Sequence, residues 1–346
     1  MKAATLVGEG QLAIEERDPP QITRSDQVLL DVEACGICGT DLHILSSPPE
    51  HPCRIGVIMG HEFVGRVRET GDAVSALAVG DRVVVEANVA CGQCGWCQRG
   101  LPSHCEHFTT HGIFVDGGLA PQVVVPARSC HRISEAIPPH LAALAEPLSC
   151  VVNGIRLARL EPGETAVVLG AGPIGLMFTA LLRLAGGDVV AVEPATQRRE
   201  LAAILGADQV IDPARQRAGE VVGVVTGGMG ADVVIDAVGT QLPMALDLVR
   251  PGGRVVLFGM NQRARAEVSQ NLITRKEVQI LGAYVGRDVF PTAVRLLEQR
   301  RVDFSPLVTD RINLLELPTA IERLRRGKAV KVVVEEPGRA HRSGAV

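Results

Sequence analysis

The stretch TAVVLGAGPIGLMFTALL, residues 165–182, decides how the chain folds. It opens on a short apolar run, Thr165–Leu169, passes through Gly170-Ala171-Gly172-Pro173-Ile174-Gly175, and continues as an apolar segment of helical length from Ile174 to Ala185. Its 18 uncharged residues reach the length of a membrane span. A spanning helix would be broken by Gly170, Gly172, Pro173 and Gly175 at its middle, whereas a strand, a glycine turn and a helix use each of those residues. The turn fits G-x-G-x-x-G, a weak signal alone. Here it follows a strand and opens a helix, and Glu193 closes the next strand 21 residues after Gly172, the spacing of a dinucleotide site. Gly170 and Gly172 permit a tight turn and close approach to a pyrophosphate, whose charge is met by the helix N-terminus at Pro173, Ile174 and Gly175. A carboxylate at 193 accepts the hydroxyls of the adenosine ribose and repels a 2′-phosphate, which favours NAD over NADP. Arg198 and Arg199 just downstream soften that preference.

Outward from this turn the pattern repeats. Asp188–Val192, Gln209–Ile211, Asp232–Ala237, Arg254–Phe258 and Val278–Leu281 are short apolar runs, with helical spacing between most of them, clearest at Ile174–Ala185, Thr196–Leu205 and Gln241–Val249. Buried strands alternating with helices predict an α/β fold, a doubly wound parallel sheet covered on both faces. Residues 1–150 read differently. Gln27–Val32, Phe63–Glu69, Asp81–Glu86 and Leu119–Val125 are Val-rich runs bounded by Gly, Asp or Pro, and no long helical period appears among them, which predicts a β-barrel-like region. After Tyr284 come helical, charged segments (Val289–Arg300, Leu314–Arg326), a last strand at Ala329–Val334, and a polar tail, PGRAHRSGAV, expected to fray.

Composition narrows the function. At roughly 150 residues per domain, 346 residues suggest about two domains. With 46% hydrophobic and 21% charged residues there is enough apolar material for sizeable cores, which excludes a disordered chain. Net charge is −4, from 35 basic and 39 acidic residues, so no basic excess points to nucleic acid or an anionic membrane. One Trp and one Tyr give no base-stacking platform. The first twenty residues lack the apolar core of a secretory signal, which predicts a cytoplasmic protein.

Nine cysteines are too few, and odd in number, for a disulfide scaffold. Four of them, Cys91, Cys94, Cys97 and Cys105, fall within fifteen positions among Gly92, Gly95 and Gly100. Soft thiolates at that spacing suit tetrahedral zinc with no open position, hence a structural role. An iron–sulfur cluster uses the same four ligands, but nothing nearby forms an electron-transfer chain. His104, His107 and His111 are competing ligands that four thiolates make unnecessary. A second, mixed group is separated in sequence: Cys38 in ACGICGTDLH, His61 and Glu62 in MGHEFVG, Glu146 in AEPLSCVV. One thiolate, one imidazole and carboxylates leave room for water or substrate, as a catalytic zinc requires. Spacing alone leaves open that the His–Glu pair is a surface pair.

GICGTDLH, GHEFVG, the four-cysteine lobe, AEPLS, GAGPIG and PGGRVVLFG occur in the order, and across nearly the whole length, in which they occur in the zinc-dependent medium-chain dehydrogenases of the alcohol, polyol and threonine dehydrogenase superfamily. The chain resembles that family. The resemblance implies a GroES-like β-barrel catalytic domain at 1–150 with a structural zinc lobe at 88–108, an NAD-binding Rossmann domain at 151–284, and a segment, 285–346, returning to the catalytic domain. It implies that Cys38, His61 and Glu62 bind a catalytic zinc, and that Glu146 binds it directly or holds its water. Cys35 and Cys150 are then packing thiols. Thr40 matches the hydroxyl that bonds the substrate alcohol, and His43 the outer member of a proton relay through the cofactor ribose. Arg198, Val238, Phe258, Gly259, Met260, Ala283 and Tyr284 fall at cofactor contacts. Asn153 departs from the histidine many members carry.

The implied activity is hydride transfer from a secondary hydroxyl of a polyol, sugar or cyclitol to NAD+, with one catalytic and one structural Zn2+. An amino alcohol, threonine or an aminocyclitol, is the alternative substrate, and a non-catalytic NAD-binding protein the alternative of another class. The latter would be expected to lose Cys38, Thr40, His43 or His61, and all four are present. A small-molecule alcohol is the expected partner, with neither nucleic acid nor membrane, in a homodimer or homotetramer.

Overall fold

The structure, a computed structural model, describes residues 1–335; the PGRAHRSGAV tail lies outside them. The chain divides into two compact units, Met1–Glu146 with the segment from Val308 onward, and Pro147–Leu307. The sequence places the second junction at 284/285; the structure moves it past the helix Phe290–Gln299, which belongs to the second unit and buries Phe290, Ala293, Val294 and Leu297.

The second unit carries a six-stranded parallel sheet in the order Gln209–Ile211, Asp188–Val192, Thr165–Leu169, Ala231–Asp236, Val249–Leu257, Gln279–Gly282. Every residue of Thr165–Leu169 is buried, which is why this strand shows no alternation in sequence. The chain runs outward one way from Thr165–Leu169, then returns to add strands on its other side, so strand order reverses beside the glycine turn. Open α/β sheets bind ligands at such a reversal, outside the carboxyl ends of the strands. The fifth strand is longer than the expected Arg254–Phe258 because Val249 already pairs with Ala231 before the register shifts. The helix Ala218–Val225 has no counterpart in the sequence reading, since two glycines interrupt its valines.

In the first unit a mixed sheet runs Val308–Ile312, Lys331–Glu335, Gln27–Gly36, Glu62–Thr70, Arg82–Val85, Cys130–Arg132, with Gln122–Pro126 also pairing Gln27–Gly36. Val28, Leu30, Val32, Val83, Val85, Val123 and Val125 form one core with Val332 and Val334 from the chain's far end. Each such side chain contributes about 1.5–3 kcal/mol of burial, so the returning segment is integral to this unit. The hairpin Lys2–Gly8/Gln11–Glu16 is a further element the sequence reading lacks. So is the helix Ala145–Ala158, whose pattern Pro147 and Gly154 obscure. The helical stretch Pro139–Ala158 is long and apolar enough to cross a membrane, yet 78% of its apolar 18-residue window is buried within the protein.

Candidate functional site

The short helix Gly39–Ile44 leaves the sheet directly after Gln27–Gly36, with Cys38 at its N-cap. Asp41, 2% exposed, accepts the Cys38 backbone N–H at 2.8 Å and so fixes the turn that presents the thiol. The other Asp41 oxygen, Oδ1, stands 3.6 Å from His61 Nδ1; both atoms are buried and lack a hydrogen-bond partner. His61 immediately precedes, and Glu62 begins, the strand Glu62–Thr70, which pairs with Gln27–Gly36 so that Glu62 lies opposite Gly36. A Cβ at Gly36 would stand 2.2 Å from Glu62 Oε2; this close approach requires glycine.

Cys38, His61 and Glu62 offer ligand atoms that lie within 4.8 Å of one another. Burial disfavours a charged His61, but Asp41, the Cys38 thiol beside it and Glu146 outweigh burial and hold its pKa well above the ordinary value. Burial raises the Asp41 carboxyl, against the pull of His61. Two acidic groups and a thiol therefore crowd one imidazole, a set of donors short of positive charge. Glu62, 1% exposed, accepts the Lys331 ammonium at Oε2, while its Oε1 is buried without a partner. An unpartnered buried carboxylate oxygen costs several kcal/mol unless a cation or proton meets it. The donor set, one thiolate, one imidazole and one free carboxylate oxygen, fits zinc, with Asp41 as the partner that orients His61. Glu146 lies outside the 4.8 Å group although its charge reaches His61. Cys35 is fully packed, its thiol pushed up by burial.

Lys331 was not among the residues singled out from sequence. It is 2% exposed, donates to Glu62 and to Ile37 O at 2.9 Å, and stays charged because Glu62 and Cys38 outweigh its burial. Its only signal is one Lys inside the apolar run AVKVVV.

The four lobe thiols also lie within 4.8 Å of one another, and none is in a disulfide. Backbone amides of Gln93 and Cys94 donate to Cys91 Sγ, and those of Cys91 and His107 to Cys105 Sγ, at 3.2–3.4 Å. Amide donors pull the Cys94 thiol down to about 6. Such amides favour thiolates, and four thiolates without a cation would repel, so this loop also fits a metal. His104 packs against Trp96 and His111 donates Nδ1 to Asp116 O; neither side chain joins the thiol group.

In the second unit Gly170 has φ +91°, and a Cβ there would strike Val238. A Cβ at Gly175 would lie 1.8 Å from Gly170 O, whereas one at Gly172 meets nothing within 4 Å. That opening at the start of the helix Pro173–Leu184 is the cradle a pyrophosphate would fill. Gly175→Ala is accordingly expected to unfold or severely destabilise the protein, whereas Gly172→Ala folds with a near-native thermal midpoint and binds dinucleotide at least tenfold more weakly by titration. Equal behaviour of the two variants would contradict the packing described here.

Glu193 lies deeper than its spacing suggests. It is 4% exposed, and its two oxygens already accept the backbone amides of Ala171, at 2.7 Å, and Ala195, at 2.9 Å. Only the second lone pair of each oxygen remains for a ribose. Arg199 is engaged by Asp212 at 3.2 Å and by three oxygens of residues 193–196. Arg198 has a buried Nε without a partner. Val238, Met260 and Tyr284 are exposed apolar residues following three neighbouring strands at their carboxyl ends. Phe258 packs edge-on against Phe178 with centroids 5.0 Å apart, and its backbone N–H, like that of Gly259, donates to Asp236 O. Ala283 donates its N–H to Leu257 O. Asn153 donates to Val285 O at 2.8 Å, leaving its Oδ1 buried and unpartnered. An orphaned Arg198 nitrogen, an open glycine cradle and exposed apolar residues at one end of the sheet fit a dinucleotide.

The family model for the alcohol dehydrogenase GroES-like domain matches residues 24–135, and that for zinc-binding dehydrogenase matches 173–299. An L-threonine 3-dehydrogenase of Pyrococcus abyssi is 37% identical over 316 residues, 89% of this chain and 90% of that protein. D-arabinitol dehydrogenase 1 of Uromyces fabae is 33% identical over 330 residues, 93% of each chain. A zinc-binding dehydrogenase of Sinorhizobium meliloti, solved with NADP, superimposes with a TM-score of 0.91 at 34% identity, covering 96% of this chain and 98% of that one.

Proposed function

The chain belongs to the zinc-dependent medium-chain dehydrogenases, and on that premise we propose that it oxidises a secondary hydroxyl of a polyol, sugar or cyclitol to the ketone and passes hydride to NAD+. The observation that carries this reading is the convergence of Cys38, His61 and the unpartnered Glu62 Oε1 beside the helix bearing Thr40 and His43. Cys38, His61 and Glu62 would hold a zinc ion, which supplies Lewis acidity that brings a hydroxyl's pKa toward neutrality, while an oxidised nicotinamide supplies the hydride acceptor.

The chain's own residues do the rest. Asp41, its Oδ1 3.6 Å from His61 Nδ1, would orient the ring by charge so that the other nitrogen faces the Cys38 thiol. Thr40 would accept the alcohol proton, and His43, three residues on along the same helix, would carry it to solvent. Glu146 holds water or ligand beside His61. Arg198, Glu193 and the turn at Gly170–Gly175 hold the adenosine and pyrophosphate. The lobe at Cys91–Cys105 would hold a second, structural zinc. Nine unpaired cysteines support a reducing compartment, the cytoplasm.

A panel of polyols, cyclitols and amino alcohols, read as NADH absorbance with and without chelator, tests the activity. Turnover of a polyol that the chelator abolishes is the expected result; no turnover of any alcohol by the zinc-loaded protein counts against it. The kinship with a threonine dehydrogenase favours an amino alcohol as the second reading. For the cofactor, Glu193→Ala is expected to lower the ratio of kcat/KM for NAD+ over NADP+ about tenfold, ~1.4 kcal/mol. An unchanged ratio would remove Glu193 from cofactor choice.

A further inference from the structure

His43 is held by a partner that neither its motif nor the activity assigns. The chain leaves the helix Gly39–Ile44, turns through residues 45–49, and comes back so that the Glu50 N–H donates to His43 O at 2.9 Å. Ser46 Oγ donates to the same carbonyl at 2.8 Å, closing the loop on itself. This return sets Glu50 Oε2 2.9 Å from His43 Nδ1, with the two side chains 27% and 42% exposed. On a freely exposed pair such a contact would be worth little. Here the loop fixes one partner and the helix the other, so little side-chain freedom is lost in making it.

A carboxylate has no proton to give, so His43 Nδ1 must carry the hydrogen and Nε2 is the basic nitrogen. Thr40 lies three residues before His43 on the same helix, hence on the same face. His51 in the loop, Asp41 on the helix and Arg325, whose guanidinium donates to Leu45 O, are the other charged or titratable groups near His43. Among the described residues none of them hydrogen-bonds its ring.

We propose that Glu50 is a positioning residue for the proton relay: by accepting the Nδ1 hydrogen of His43 it fixes Nε2 as the acceptor and stabilises the imidazolium formed when the proton arrives. This rests on the relay role of His43 given above. The step balances. The carbinol C–H bond breaks with its electron pair going to the oxidised nicotinamide, and the hydroxyl proton passes through Thr40 to His43 Nε2 and then to solvent. Glu50 itself is neither protonated nor consumed.

The test compares Glu50→Ala, Glu50→Gln, His43→Ala and the double variant His43→Ala/Glu50→Ala, using the polyol turned over fastest in the panel. Glu50→Ala is expected to lower kcat about tenfold or more with KM and thermal midpoint near wild type. Glu50→Gln, which keeps a carbonyl oxygen able to accept the Nδ1 hydrogen, is expected to recover part of that loss. The double variant should be no slower than His43→Ala alone, because Glu50 acts only through that ring. A wild-type kcat in Glu50→Ala, or a further multiplicative loss in the double variant, would overturn the assignment while leaving His43 in place. Wild-type turnover by His43→Ala would instead remove the relay itself, and this inference with it.

Discussion

Cys38→Ser and His61→Ala are expected to lose turnover by about a thousandfold or more while dinucleotide binding survives. The size follows from the role given to these residues. Lewis-acid stabilisation of a developing alkoxide is worth several kcal/mol, and each 1.36 kcal/mol is a factor of ten in rate. A serine hydroxyl at 38 keeps the volume but not the soft thiolate that zinc prefers. His61→Ala removes the imidazole that Asp41 orients from 3.6 Å. The proposed dinucleotide site lies in the other unit, on the turn after Thr165–Leu169, and binding there should be unaffected when measured by quenching or calorimetry. Full activity in either variant would remove the catalytic role of this donor group.

Lys331→Met is the second large effect, and it falls on stability. Glu62 and Lys331 are 1% and 2% exposed, so losing the ammonium leaves a carboxylate buried with no partner on either oxygen among the described residues. Breaking a buried pair on one side costs about 3–5 kcal/mol. At roughly 2–4 °C per kcal/mol for chains of somewhat smaller size, the metal-free protein should melt on the order of 10 °C lower. A cation between Cys38, His61 and Glu62 would supply the missing positive charge. The deficit measured with zinc should therefore be clearly smaller than the deficit after chelation. The double variant Lys331→Met/Glu62→Gln, which removes both charges, should recover much of the loss. Equal deficits with and without chelator would mean that Glu62 does not face the metal position.

The parts of this molecule that could be read in advance are those whose physics is local. The strand Thr165–Leu169 and its glycine turn are legible because a buried strand, a left-handed Gly170 and a helix start each restrict residue type within a few positions. The four lobe cysteines are legible for the same reason: one short loop supplies every donor. Cys38, His61 and Glu62 are legible as a set only through the family pattern, because the sheet joins them by pairing Gln27–Gly36 with Glu62–Thr70. Lys331 shows what such reading misses. It meets Glu62 across 269 residues of chain, and in its own neighbourhood it looks like a polar residue on a strand. Asp41 is similar: its place in GTDLH is visible, but its hold on His61 depends on tertiary packing. The Glu193 carboxylate sits at the expected spacing, yet its depth and two amide partners follow from how the strands settle. The helix Ala145–Ala158 was obscured because Pro147 falls in its first turn, where proline is tolerated, and reads as a breaker in sequence.

Anomalous diffraction at the zinc edge, recorded from crystals of active protein, bears most directly on the proposal that a metal ion among Cys38, His61 and Glu62 drives alcohol oxidation. The expected map has two peaks per chain, one within bonding distance of Cys38 Sγ, His61 and a Glu62 oxygen or a water held by Glu146, the other at the centre of the four lobe thiolates. A single peak, at the lobe alone, in crystals whose dissolved protein turns over at full rate would contradict it.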